Sequence, residues 1–130
     1  MVVKQLSVFL ENRQGRLGEV LQVLKDSNVN ILSISLADTT EYGLLRLIVE
    51  EPEKGKDALL TAGFSAMLTD VVIIKIPHTP GSLQNMLKTV VDKEINVEYM
   101  YGLTTEGNEA SIVIKTSDLE KACHAFDIVR

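Results

Sequence analysis

Few side chains in this sequence could carry out covalent or acid–base chemistry. The 130 residues include two histidines, His78 and His124, and one cysteine, Cys123. These residues lack the spacing of a metal site, and no serine stands in a nucleophile-elbow motif. His78 could act as a base only beside a carboxylate or a nucleophile, and the sequence nominates none. The pattern predicts no enzyme, no bound metal and no cofactor.

Two similar turns are better suited to binding than to catalysis. Each contains a glycine and leads into a predicted helix, whose unpaired N–H groups and partial positive charge attract carboxylates. Glycine lets a ligand approach the backbone, and the side chain three residues earlier can donate and accept hydrogen bonds. The turns are Asn12-Arg13-Gln14-Gly15-Arg16-Leu17 and His78-Thr79-Pro80-Gly81-Ser82-Leu83.

Two asparagines, Asn30 and Asn96, open the strand that follows each of these helices. We expect each to lie next to the end of the preceding strand, and therefore beside the turn. A glycine before a helix is often only a turn residue, and an asparagine at a strand start is often only an Asx-turn residue. The occurrence of the same polar groups twice favours binding, but both interpretations remain open at this point.

The turns belong to a repeat that runs through the whole chain. At an offset of 66, apolar positions recur with apolar type and the two turn glycines coincide; later in each half the offset becomes 67. This pattern predicts two similarly folded units, residues 1–70 and 71–130. A unit of about 65 residues is near the lower limit for an independent core. By the later offset, Gly63 corresponds to Arg130.

The hydrophobic periodicity gives the same order of elements in both units. Period-2 alternation predicts strands, and the i, i+3, i+4, i+7 spacing of Leu17, Val20, Leu21 and Leu24 predicts a helix. The order is β-α-β-β-α-β, the ferredoxin-like unit of an α+β fold. The fourth strand of the second unit would begin beyond residue 130, so about seven strands are expected. The resulting open edge could pair with another chain.

These residues resemble the ACT domain. The similarity rests on the first turn with Asn28-Val29-Asn30-Ile31, and on the second turn with Ile95-Asn96-Val97. The resemblance implies a regulatory module that binds an amino acid between paired units, with their sheets joined side by side and their helices on one face. It is closest to stand-alone tandem ACT proteins.

The resemblance also implies which residues hold the ligand. In serine-sensing members of the family, the matching asparagines are Asn12 and Asn30; the second unit keeps Asn96 but has His78 in place of Asn12. Gln14 stands where the family usually has proline, which leaves the first turn less rigid. The implied ligand-binding residues are Asn12, Arg13, Gly15, Arg16, Leu17, Asn30, His78, Thr79, Gly81, Ser82, Leu83 and Asn96.

Composition excludes several classes of function. The net charge of −5 and the scattered basic residues argue against nucleic-acid binding. No apolar run reaches the roughly 18 residues that would span a membrane, and the N-terminus lacks the layout of a signal peptide. A single cysteine fits a reducing compartment, so a cytoplasmic location is expected.

The leading hypothesis is therefore a non-catalytic regulatory or sensing module that binds a free amino acid at the interface between its two units. The alternative is a regulatory subunit of a separately encoded biosynthetic enzyme, such as acetolactate synthase. Besides the amino acid, a homodimer and a metabolic enzyme are the candidate partners.

Overall fold

The computed structural model describes residues 1–11, 13–38 and 42–129. The predicted α+β fold, with the order β-α-β-β-α-β occurring twice, is confirmed. The elements are β1 (Val2–Glu11), α1 (Arg16–Asp26), β2 (Ile31–Asp38), β3 (Tyr42–Val49), α2 (Pro52–Thr61), β4 (Ser65–Pro77), α3 (Ser82–Asp92), β5 (Val97–Glu106), β6 (Glu109–Thr116) and α4 (Leu119–Ala125).

The chain forms two compact units. One comprises Lys4–Thr69, and the other comprises Met1–Val3 together with Asp70–Arg130. In the first unit the strand order is β2-β3-β1, with the beginning of β4 beside β1; in the second unit it is β4-β6-β5. The pairs β1–β3, β2–β3, β4–β6 and β5–β6 are antiparallel. Each unit therefore has the arrangement that its hydrophobic alternation predicts.

The core of the first unit lies between its sheet and α1 and α2. Leu6 and Val8 alternate inward along β1, and they pack with the fully buried Val20 and Leu24 of α1. Helix α2 approaches this layer closely because residue 55 is glycine: a Cβ there would lie 3.2 Å from Leu6 Cδ2. Helix α2 is thereby packed directly against β1 and α1.

The second unit has an equivalent core. Val72 and Ile74 of β4 pack with Met86 and Val90 of α3 and with Ile114 of β6. The four positions on β4 and α3 match Leu6, Val8, Val20 and Leu24 at the offset of 66, and Ile114 matches Leu47 at the later offset of 67. The repeat in sequence is therefore a repeat in packing.

The later offset of 67 holds at the start of the second helix of each unit but fails at its end. Helix α4 has 7 residues and α2 has 10. After α2 the chain turns through Gly63 with φ 91°, and after α4 it turns in the same way through Asp127 with φ 53°. The structural counterpart of Gly63 is thus Asp127, and the predicted match with Arg130 is wrong.

The strand count also differs from the expectation. The two strands predicted at 65–68 and 71–76 are one continuous strand, β4, so the described residues contain six strands and not seven. Beside β4 lies Met1, whose backbone N and O atoms form hydrogen bonds of 3.0 and 2.8 Å with Ile73. The first residues of the chain therefore cover part of the edge that was predicted to be open.

The remainder of that edge is poorly suited to strand pairing. Because Met1 exchanges both hydrogen bonds with Ile73, the N–H and C=O groups of Lys75 point to the same side of β4. Lys75 is charged and exposed, and Pro77 has no N–H to donate. Lysine and proline are residues that protect sheet edges from association.

Edge strand β2, unlike the edge at β4, carries exposed apolar side chains. Leu32, Ile34 and Leu36 recur at every second residue and are 48–50% exposed. Ile34 and Leu36 are paired with Leu47 and Leu45, so they lie on the face of the sheet that carries the core of this unit. Strand β2 is thus an edge strand with exposed apolar side chains that could pack against another chain. No helix in the described ranges is long and apolar enough to cross a bilayer.

Candidate functional site

The two glycine turns have the same backbone conformation. Gly15 precedes α1 with φ 89° and ψ −10°, and Gly81 precedes α3 with φ 86° and ψ −9°. This left-handed conformation strains residues that carry a Cβ, which explains a glycine in both turns. A Cβ built on either glycine would meet no atom within 4 Å. The backbone at both helix N-termini is consequently open to an approaching group.

Free N–H groups face that opening in the first unit. The first bond of α1 runs from Glu19 N to Gly15 O at 3.0 Å, and Arg16 N donates to Arg13 O at 3.3 Å. The N–H groups of Leu17 and Gly18 precede the helical ladder and have no partner within it. With the partial positive charge of the helix end, they form a binding point for a carboxylate.

Arg16 adds a cation at the same place. Its guanidinium carbon lies 4.2 Å from the centre of the Phe64 ring, and its Nη1 donates to Glu19 Oε2. The side chain is only 18% exposed. Its Nε is buried and has no hydrogen-bond partner among the described residues. A buried N–H of a charged group is costly to leave unpaired, so an additional acceptor at this position would be favoured.

A small pocket of about 150 Å³ connects these groups. Its walls combine two arginines and the carboxylate of Glu11 with leucines from β1, β2 and α1 and with the backbone of Gly43. The register explains this assembly, because Leu10 of β1 is paired with Gly43 of β3. The lining residues are Leu10, Glu11, Arg13, Arg16, Leu17, Leu36 and Gly43.

Three of the sequence-predicted residues, Arg13, Arg16 and Leu17, line this pocket, and Gly15 shapes the turn beside it. Asn12 lies outside the described residues. Sequence reasoning missed four lining residues and Phe64, because these join the site through strand register and packing over many residues; the four are Leu10, Glu11, Leu36 and Gly43. Alternation along β2 was the one available signal, since it marks Leu36 as apolar.

The two hydroxyl groups in the turn of the second unit contact each other. Thr79 Oγ1 and Ser82 Oγ are 2.7 Å apart, and Ser82 N donates to Thr79 O at 3.2 Å. Ser82 is buried, whereas Leu83 is 42% exposed. His78 donates its backbone N–H to Asn108 O at 2.7 Å, while its side chain is exposed. Ser82 stands where the first unit has Arg16, so this turn lacks the guanidinium.

Asn30 and Asn96 do not lie beside the turns of their own units, and the expectation that they would is wrong. Ile31 is paired with Val49 at one end of the sheet, whereas the end of β1 is paired with Tyr42 at the other. The eight residues of β2 separate the two places by about 23 Å.

Both asparagines instead make equivalent contacts at the start of a strand. Asn30 Nδ2 donates to Glu50 Oε1 at 3.2 Å, and Asn96 Nδ2 donates to Ser117 Oγ at 2.9 Å. In each case the backbone N–H of the partner residue donates to the backbone carbonyl oxygen of the asparagine, at 3.0 Å for Asn30 and 3.1 Å for Asn96. These bonds connect the start of one strand to the end of its neighbour.

No group of three or more metal-ligating side chains occurs in the described ranges. Cys123 is a buried free thiol. The chemistry offered by the first turn is therefore recognition of an anionic group, with a small apolar space next to it.

A known protein family covers nearly the whole chain. Residues 1–128 match the family described as the ACT domain pair. The chain belongs to the ACT domain pair family. The resemblance in the sequence is thereby confirmed. No curated protein matches the ACT pair described here by sequence.

Solved structures provide further similarity to this ACT pair. Protein BT0572 from Bacteroides thetaiotaomicron has a TM-score of 0.93 at 39% identity, covering 98% of this chain and 88% of that chain. The ligand-free regulatory subunit of aspartate kinase from Thermus thermophilus has a TM-score of 0.69 at 19% identity, covering 96% and 94%. The corresponding subunit from Thermus flavus has a TM-score of 0.66 at 18% identity, covering 98% and 94%. At these identities the two kinase subunits establish a shared fold.

Proposed function

We propose that this ACT pair is a non-catalytic regulatory module that binds a free amino acid at the first turn of its Lys4–Thr69 unit. The observation that carries the proposal is the buried, unpartnered Nε of Arg16, next to the open N-terminus of α1. The ligand carboxylate would accept hydrogen bonds from Arg16 and from the N–H groups of Leu17 and Gly18.

The shape of the pocket supports a small ligand. Its volume of about 150 Å³ leaves room for a small side chain, and the leucines in its walls favour an apolar one. Gly43 contributes to that room, because a Cβ there would lie 3.4 Å from Leu36 Cδ1. The proposed binding role of Asn12 stays a prediction, since Asn12 lies outside the described residues.

The second turn is a weaker candidate. Its hydroxyl groups are satisfied by each other, and it has no cation in the position of Arg16. We propose that His78, Thr79, Gly81, Ser82 and Leu83 contribute to a ligand site of lower affinity than the first turn. Asn30 and Asn96 lie at the opposite end of the sheet from the turns of their own units. They would therefore contact the proposed ligand only if it were held by a turn of a different unit.

A partner-binding role is the second candidate, and the apolar edge of β2 favours it. Leu32, Ile34 and Leu36 form a stripe that is self-complementary when two copies of β2 align antiparallel. We propose a homodimer through this edge, which would extend the wall of the pocket at Leu36. A separately encoded enzyme of amino-acid metabolism could use the same edge. We also propose a cytoplasmic location, because a single cysteine fits a reducing compartment.

A thermal-shift screen of the twenty free amino acids tests the ligand-binding proposal, because a ligand that binds only the folded state raises the melting temperature. We expect a small aliphatic amino acid to stabilise the wild type. Arg16→Met should lose this response, whereas Lys25→Met removes the same charge at the far end of α1 and should retain it. Equal responses in both variants would exclude Arg16 from the site.

A further inference from the structure

A second cavity lies on the sheet of the other unit, far in sequence from the first turn and beside the second, where His78 donates its backbone N–H to Asn108 O at 2.7 Å. Its volume is about 390 Å³, and it is lined by Lys75, Thr104, Glu106, Glu109 and Ser111. All five side chains are polar or charged, and they come from the three strands β4, β5 and β6.

The strand register arranges these side chains in two rows. Lys75 and Thr104 are both paired with Ser111, which gives one row with a cation and two hydroxyls. Glu106 is paired with Glu109, which gives a second row with two carboxylates. These side chains lie on the face opposite the core, because Ile112 and Ile114, which alternate with Ser111 along β6, pack into the core.

The charged groups of the cavity are not neutralised by one another. Lys75, Glu106 and Glu109 form no ion pair within the part of the chain that the structure describes. Ser111 is only 8% exposed, and its hydroxyl makes no hydrogen bond to a described residue. Like charges placed directly opposite on paired strands are destabilising, so the pair Glu106–Glu109 lowers stability unless a cation lies between them.

We infer that this cavity is a ligand site distinct from the two turns, and that it binds a small zwitterion of the α-amino acid class. The ligand ammonium lies between the Glu106 and Glu109 carboxylates, and the ligand carboxylate contacts Lys75 and the Ser111 hydroxyl. The rows are about 7 Å apart along the strands, because they are separated by two residues. A small zwitterion spans that spacing when each end makes one hydrogen bond of about 2.8 Å.

Amide chemical-shift titration of the full chain with each of the twenty free amino acids tests this site. We expect at least one of them to shift the amides of Lys75, Thr104 and Ser111. Glu109→Gln should weaken that response about tenfold, the value of one charge-assisted hydrogen bond. Glu98→Gln is the matched control, because Glu98 lies on the same sheet but is paired with Lys115.

Two further variants serve as controls. One distinguishes ligand binding in the cavity from a purely structural role of its carboxylates, and the other tests whether the cavity binds independently of the first turn. Glu106→Gln should weaken binding while leaving the melting temperature equal or higher, because it relieves the like-charge pair. Arg16→Met should leave the titration at Ser111 unchanged, so failure of the first-turn site does not affect this test. The inference is overturned if no amino acid shifts these amides, or if Glu109→Gln responds like the wild type.

Discussion

The guanidinium of Arg16 lies 4.2 Å from the ring centre of Phe64, although 48 residues separate them in the sequence. This contact positions the cation over the first turn, at the start of α1. Phe64 is buried, and it follows the left-handed Gly63 that ends α2. The end of one helix thus orients the Arg16 side chain at the beginning of another.

Phe64→Leu tests this positioning. The substitution keeps an apolar side chain but removes the aromatic face, and we expect it to cost about 1–2 kcal/mol of stability through lost cation–π contact and packing. Affinity for the amino acid at the first turn should fall as well. Chemical denaturation and calorimetry measure the two effects. Leu59→Val, a buried change in the same core, should lower stability without changing affinity in the folded protein.

Gly15→Ala and Gly63→Ala form a matched pair. Both glycines have left-handed backbones, with φ 89° and 91°, and open space where a Cβ would be. Each alanine should therefore cost about 1–2 kcal/mol through backbone strain. Only Gly15→Ala should also weaken ligand binding, because the added methyl lies at the helix N-terminus. Equal affinities in the two variants would remove the turn from the site.

A substitution of Gly55 would be a poor control for Gly15→Ala, because residue 55 is packed against the core. A Cβ at residue 55 would lie 3.2 Å from Leu6 Cδ2 and 3.4 Å from Leu24 Cδ2. Its substitution should destabilise the first unit by crowding α2 against the core.

Burial distinguishes two adjacent residues of α1. Val20 is fully buried, whereas Leu21 is only partly buried and lines a surface cavity with Lys25. Val20→Asp should therefore unfold the first unit, because an unpaired buried carboxylate costs several kcal/mol. Leu21→Asp should leave it folded. Circular dichroism of the two variants provides the measurement, and unfolding by both would contradict the assigned core.

The first three residues should stabilise the second unit. Removing Met1 and Val2, so that the chain starts at a methionine in place of Val3, deletes the hydrogen bonds between Met1 and Ile73. We expect faster hydrogen exchange at the Ile73 amide and a lower melting temperature. Val129→Ala, at a residue that is 95% exposed, is the control and should change neither. Unchanged exchange at Ile73 would show that this pairing does not contribute.

The parts of this architecture that could be predicted from sequence are those encoded locally. The helical spacing of Val20 and Leu24 and the two turn glycines indicate the elements and the turns, because period and backbone conformation depend on neighbouring residues. The position of Asn30 could not be predicted in this way, since it depends on which end of β2 meets the turn. The contact of Arg16 with Phe64 depends on packing between distant segments, and the role of Met1 depends on strand pairing across the length of the chain.

The most direct test of the central claim is isothermal calorimetry with the amino acid that stabilises the wild type most. We predict saturable binding to the wild type and to Lys25→Met. Binding to Arg16→Met should be at least about tenfold weaker, which corresponds to the loss of one charge-assisted hydrogen bond. Binding of equal affinity to Arg16→Met would contradict the proposal that Arg16 and the N-terminus of α1 hold the ligand carboxylate.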